Sequence, residues 1–246
     1  MSSYSIIVSK EHKDLFLMIW NKFESGFDLF KNVYIENGGD ELCLKFSIVK
    51  NAKTTYKLIK TWVADSMVLH YKLNYFEANL KIPSGSHVPF KVLCQVLAAF
   101  DKIEDVRYIL KDLEVTTEFN VCSYYSFKMF ELRQRWQEVC DLFFASLPEL
   151  VASDAFLDLT RYLLKVNTSI INKVFVSLTS DFIFMKNDKG ENIIKPIINN
   201  NQGAENAVLE LILLSPSSIY IRQNDIENTL ARDIKFLFDD KVVYCT

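Results

Sequence analysis

The stretch Ile219–Cys245, IYIRQNDIENTLARDIKFLFDDKVVYC, decides the fold class. Ile219–Arg222 reads as a short strand, Asp225–Phe238 as a helix, and Val242–Cys245 as a second strand. Two strands joined by a tight turn lie antiparallel, whereas two strands joined through a helix lie side by side in parallel, with a right-handed connection. The end of the chain is therefore expected to hold a mixed sheet with helices packed on it. Working upstream, Ala207–Leu214 reads as a short helix and Lys195–Glu205 (KPIINNNQGAE) as a polar surface loop. Val174–Leu178 and Phe182–Met185 are strand-like. Asn187-Asp188-Lys189-Gly190 is a turn signal, after which Ile193-Ile194 is expected to continue the meander.

The first eighty residues repeat the mixture on a smaller scale. Tyr4–Val8 reads as a strand. Glu11–Gly26 carries Leu15, Ile19 and Phe23 at four-residue spacing, one apolar stripe of a helix. Val33–Glu36 and Leu42–Val49 flank Asn37-Gly38-Gly39-Asp40, whose Asn-Gly pair suits the positive φ of a hairpin turn. Thr54–Leu80 is a long helical pattern with Ile59, Val63, Met67 and His70 along one face. Between these ends the chain is helical: Phe90–Asp101, Glu104–Leu113, Ser123–Leu147 and Asp154–Val166. In the longest of these, Trp136, Cys140, Phe143, Leu147 and Leu150 form a narrow seam. Pro148 is expected to kink that helix or start a new one. The class is α+β: a helix-rich middle, a small N-terminal sheet, and a C-terminal mixed sheet packed by helices. Pro83–Pro89 (PSGSHVP) is the clearest breaker, which divides the chain into an N-terminal α/β region over residues 1–82 and a region over residues 90–246, or joins them as one continuous domain. Asn167–Asn172 is a second candidate boundary.

Composition narrows the function classes. Of 246 residues, half are hydrophobic and 24% are charged, with a net charge of −3. That supports a sizeable core and argues against a wholly basic nucleic-acid coat. No apolar run approaches the length of a membrane span. Cys43, Cys94, Cys122, Cys140 and Cys245 are scattered and odd in number, as expected of reduced thiols in a cytoplasmic protein. His12, His70 and His87 stand in three separate segments, so no metal-ligand spacing can be read. His70, on an apolar helix face, is expected to be semi-buried. No GxSxG, P-loop or dinucleotide fingerprint occurs, so no catalytic, metal or cofactor residue is assigned. Two polar features stand out. Lys53, Lys57 and Lys60 share one helix face, with Tyr56 and Trp62 as stacking partners, which could track the phosphates of a nucleic acid or be a solvated face. Asp158, Arg161 and Tyr162 could converge into an unrecognised enzyme site.

The segment Asn120–Leu132, NVCSYYSFKMFEL, resembles a motif of the YtxC-like family of sporulation proteins from endospore-forming bacteria. Asn120, Val121, Tyr124, Phe127 and Met129 fit the motif; Ser123 stands where the family has Gly, and Lys128 where it has Arg. The second departure replaces a guanidinium fork by a point charge. Phe156–Leu164 (FLDLTRYLL), with its Arg161-Tyr162 pair, is similar to the family's acidic-aromatic stretch. Tyr71–Ile82 and the order of elements over Leu209–Cys245 are similar as well. The resemblance implies a cytoplasmic protein linked to sporulation, with no reaction and no catalytic residue to carry over. The expected function is that of a non-enzymatic interaction protein with a protein partner. The alternatives are nucleic-acid binding through the lysine face and an enzyme with an unrecognised site.

Overall fold

The computed structural model describes residues 3–80, 90–150, 155–167, 169–222, 225 and 228–245. The chain is α+β, and it divides into two compact units built from interleaved segments. The first comprises Met1–Asn79 and Lys102–Phe144; the second comprises Leu80–Asp101 and Ala145–Thr246. The breaker Pro83–Pro89 lies outside the described residues, and Asn167 and Asn172 both fall within the second unit.

In the first unit, β1 (Ser3–Ser9) is followed by α1 (Lys13–Ser25), the hairpin β2 (Phe30–Gly38) and β3 (Glu41–Ile48), and the long α2 (Ala52–Asn79). Gly39 takes a positive φ of 42° at the hairpin tip, where a side chain would be strained. After α2, this unit resumes with α4 (Lys102–Asp112), β4 (Glu118–Asn120), α5 (Val121–Lys128) and α6 (Phe130–Leu150), of which the part through Phe144 belongs to it. The sheet order is β2-β3-β1-β4. β1 pairs antiparallel with β3 and parallel with β4.

Strand alternation turns Ile6, Val8, Leu44 and Phe46 inward, where they are buried with Leu15, Ile19 and Phe23 of α1 and Ile59, Val63 and Met67 of α2. Phe23 is the centre of this core, with its ring 4.9 Å from Phe30, 4.8 Å from Phe46 and 5.4 Å from Trp62. Burying one such ring stabilises the fold by about 1.5–3 kcal/mol.

The helix expected over Ser123–Leu147 is two helices, and the break falls at Met129 rather than at Pro148, which lies inside α6. Met129 is buried between them, and the Arg133 guanidinium donates to the Ser126 carbonyl, one of the acceptors left open at the end of α5. Trp136, Cys140 and Phe143 of the seam are buried.

The second unit contains α3 (Phe90–Ala99) and α7 (Ala155–Val166), then β5 (Lys173–Leu178), β6 (Phe182–Lys186), β7 (Ile197–Ile198), α8 (Asn201–Leu214), β8 (Ser218–Arg222), α9 (Thr229–Phe238) and β9 (Val242–Cys245). The sheet order is β7-β6-β5-β8-β9. β8 and β9 pair in parallel across α9, and β5 pairs in parallel with β8. Val174, Val176, Ile219 and Ile221 face a core shared with Leu211 of α8 and Ile234 of α9.

The segment Lys195–Glu205 is not a loop throughout. It supplies β7 and the first turn of α8, and the expected strand at Ile193-Ile194 is displaced to Ile197–Ile198. Asn200 causes the early helix start. Its side-chain oxygen accepts from the Gly203 N–H at 2.7 Å, a side-chain cap that replaces a missing intrahelical acceptor.

Candidate ligand-binding site

Three helices of the second unit line a solvent-open cavity of about 840 Å³, within the roughly 300–1,000 Å³ range of small-molecule sites. α3 contributes Lys91, Val92 and Gln95; α8 and α9 contribute their first turns and the residues one and two turns further in. Each first turn is set by an asparagine. Asn200 caps α8, and Asn228 caps α9 by accepting from the Leu230 N–H at 2.9 Å. Asn199, just before the α8 cap, is tied down by its own side-chain N–H donating to the Thr179 carbonyl at 2.6 Å.

Each cap takes one of the four amide donors that open a helix, and the helix dipole places about half a positive charge at each end. Both N-termini line the cavity, so two such ends act on the same space.

Carboxylates stand further along the same helix faces. Glu205 follows Asn201 by four positions on α8, and Asp233 follows Thr229 by four positions on α9. Four residues rise about 6 Å along a helix. Glu205 is paired with Lys91 at 3.2 Å, and both are well exposed. Asp233 is exposed and has no hydrogen-bonding or ionic partner among the described residues; partial burial raises its carboxyl above the ordinary aspartate range. Beyond the carboxylates the lining turns apolar, with Val208, Phe236 and Leu237. Gln95 completes the wall. It is only 4% exposed, yet its side-chain amide makes no hydrogen bond among the described residues. Its amide atoms are not among the fully buried polar atoms without a partner, so they reach the open space of the cavity.

The residues singled out in the sequence are distributed differently. Lys53 and Lys57 are exposed at the start of α2. Lys60 is drawn back toward Glu114 at 3.9 Å and lies over the Tyr56 ring. The Tyr56 hydroxyl donates to the Val115 carbonyl at 3.2 Å, and Trp62 packs on Phe23 and Phe30. Arg161 donates twice to the Phe236 carbonyl, at 3.0 and 2.7 Å, and stacks over the Phe236 ring. It thereby anchors α7 to the α9 wall of the cavity. Tyr162 is exposed beside it, and both line a cleft of about 290 Å³ that does not include Asp158.

The residues that carry the resemblance hold mainly structural positions. Asn120 caps α5 by accepting from the Ser123 N–H at 2.9 Å, Val121 and Met129 are buried, and Tyr124 lies against Phe119. Lys128 is exposed, and Phe127 is 81% exposed.

Other polar groups of the first unit are committed to one another. Nε2 of His70 lies 3.0 Å from the Asn74 amide nitrogen and 3.1 Å from Nδ1 of His12. The amide can only donate, so Nε2 is the acceptor and His12 supplies the second N–H. His70 is half-buried; burial first, and the neighbouring His12 second, push its pKa down to about 4, against a small opposing pull from Asp14. Asp65 bridges Lys22 and Lys102. Burial would raise its carboxyl, but the two ammonium groups reverse that and hold it below the usual range. Burial raises the Cys140 thiol to about 11, the behaviour of an inert core cysteine. His87 lies outside the described residues. Among the described residues, no group of three or more His, Cys, Asp and Glu is placed to hold a metal ion, and no helix is long and apolar enough to cross a membrane.

None of the cavity-lining residues had stood out in the sequence beyond the run Asn199-Asn200-Asn201. The signal available was that Asn200 and Asn228 each directly precede a helical segment, the position where asparagine caps. Against family models, curated proteins and solved structures, the chain has no significant match.

Proposed function

We propose that this chain is a non-enzymatic binding protein that holds a small molecule in the cavity between α3, α8 and α9. The observation that carries the reading is Gln95, a residue only 4% exposed that lines the cavity and whose amide has no hydrogen-bond partner among the described residues. The two capped helix N-termini supply fixed donors around the same space, so a polar ligand meets a preorganised wall. We place the protein in the cytoplasm, a reading supported by five free cysteines. A link to sporulation rests on the resemblance at Asn120–Leu132.

The test is a thermal-shift screen of small metabolites against the parent protein and Ala204→Trp. Ala204 lies in the cavity wall and is partly exposed, so an indole there fills the space without removing a cap. Ligands that raise the melting temperature of the parent and not of the variant are the expected result. A library that shifts neither protein, or both equally, would sink the reading.

A second reading, a protein partner, is favoured by Phe127. It belongs to the motif that carries the resemblance, and it is largely exposed with Phe130, itself 57% exposed, nearby in sequence. Phe127→Ser should leave stability unchanged and abolish partner capture in a crosslinking pull-down. Unchanged capture would remove this surface from consideration.

A further inference from the structure

We propose that the cavity ligand is a small zwitterion, a carboxylate and an ammonium group on an apolar body, as in an apolar amino acid or a short apolar peptide. The inference rests on the binding reading above and names the ligand class for that site.

The argument is the order of chemistry along the two helices that line the cavity. α8 presents its N-terminal turn at Asn200 and Asn201, then Glu205, then Val208. α9 presents its N-terminal turn at Asn228 and Thr229, then Asp233, then Phe236 and Leu237. Both helices bring the same sequence to the cavity wall: amide donors with partial positive charge, a carboxylate about 6 Å further along the axis, then apolar side chains. A plain anion would suit the first layer and be repelled by the second. A plain cation would meet the reverse. A ligand carrying both charges and an apolar side chain matches all three layers.

One group points to a ligand independently of the helix ends: Gln95, only 4% exposed, lines the cavity and has no hydrogen-bond partner among the described residues. Asp233 has no ion-pair partner among the described residues, whereas Glu205 is already held by Lys91. Asp233 is therefore assigned to the ammonium. Gln95, unpaired among the described residues, offers an NH2 donor group and a carbonyl acceptor, which suits the carboxylate of an amino acid or the amide of a peptide bond.

The test is isothermal titration calorimetry of the full chain with four probes: leucine, leucyl-leucine, N-acetyl-leucine and leucinamide. The acetyl probe lacks the ammonium and the amide probe lacks the carboxylate. Leucine or leucyl-leucine should bind, and comparison of the two separates the amino-acid source from the peptide source. N-acetyl-leucine and leucinamide should each bind at least tenfold more weakly. Asp233→Asn should weaken the zwitterions by a similar factor, while N-acetyl-leucine, relieved of one repelling carboxylate, binds at least as well as to the parent. Circular dichroism of Asp233→Asn confirms that the variant is folded. Equal affinity for leucine and N-acetyl-leucine, or no effect of Asp233→Asn, would overturn the proposal, as would no binding of either zwitterion at millimolar concentration. If a ligand of another class is then displaced by Ala204→Trp, the binding reading stands and only the zwitterion is lost. If no ligand distinguishes Ala204→Trp from the parent, both fall.

Discussion

Lys72 on α2 and Asp105 on α4 form an ion pair at 2.8 Å, with side chains only 5% and 8% exposed, and the Trp136 indole N–H donates to the same carboxylate oxygen at 3.1 Å. Asp105→Ala leaves an ammonium and an indole N–H buried without that acceptor. It should cost about 3–5 kcal/mol in urea unfolding. Replacing both charges, Lys72→Met with Asp105→Leu, should recover part of that loss, because an apolar pair needs no charge desolvated while the Trp136 N–H still lacks its acceptor. A single variant as stable as the parent would contradict the buried pair.

His70 makes stability depend on pH in the mildly acidic range. Its folded pKa of about 4 lies below the ordinary value of 6.5. Between those values the unfolded chain binds a proton that the folded chain does not, so stability falls as pH drops from about 6.5 to 4 and levels off below. The loss should be on the order of 1–2 kcal/mol once solvent screening of this half-buried ring is allowed for. Unfolding midpoints measured at pH 7 and pH 4.5 for the parent and for His70→Gln check it. The variant should flatten the part of the profile that His70 causes, and an identical slope in both proteins would exclude the histidine as its source.

Arg161 is expected to be a supporting residue for the cavity. Its guanidinium donates twice to the Phe236 carbonyl and covers one face of that ring. Arg161→Lys keeps the charge but loses the fork and the planar stack. Stability should fall by about 1–2 kcal/mol. Any ligand found for the cavity should bind more weakly, because Phe236 is part of its wall. Thermal unfolding and titration of the same variant separate the two effects.

Gly203 admits no side chain. A Cβ built there would lie 1.8 Å from the Ile198 carbonyl oxygen, a backbone atom that cannot swing aside. Gly203→Ala should cost about 1–3 kcal/mol by overpacking, although alanine is the better helix former. The same substitution at Gly38, where no heavy atom lies within 4 Å of the added Cβ, should be nearly neutral. Comparable losses at both positions in chemical denaturation would contradict the close approach of α8 to β7.

The elements that could be read from the sequence were those whose signal is local. Ile219–Cys245 announces its parallel pair because apolar runs flank a helical segment, and β8 and β9 pair in that way. The hairpin at Asn37–Asp40 announces itself through its turn residues. β4 could not be read: it is three residues long, and its register comes from β1, more than a hundred positions away. The break at Met129 has neither Gly nor Pro to mark it. Arg133 reaches the Ser126 carbonyl across it, a contact that exists only after folding. The cavity was hidden for a similar reason. Gln95 reads as one polar residue in an apolar run, and its neighbours in the wall come from helices starting at Asn201 and Thr229. No periodicity links segments so far apart.

The interleaving of the two units sets a problem for the growing chain. α3 is synthesised before residues 102–144, which complete the first unit, yet its helical contacts are with α7 and α8, made later. Leu93, Cys94, Val96 and Ala98, all buried in the finished protein, must therefore wait uncovered while a neighbouring stretch folds ahead of them. On the ribosome the apolar face of α3 is exposed until α7 and α8 have been made, the kind of surface that chaperones cover.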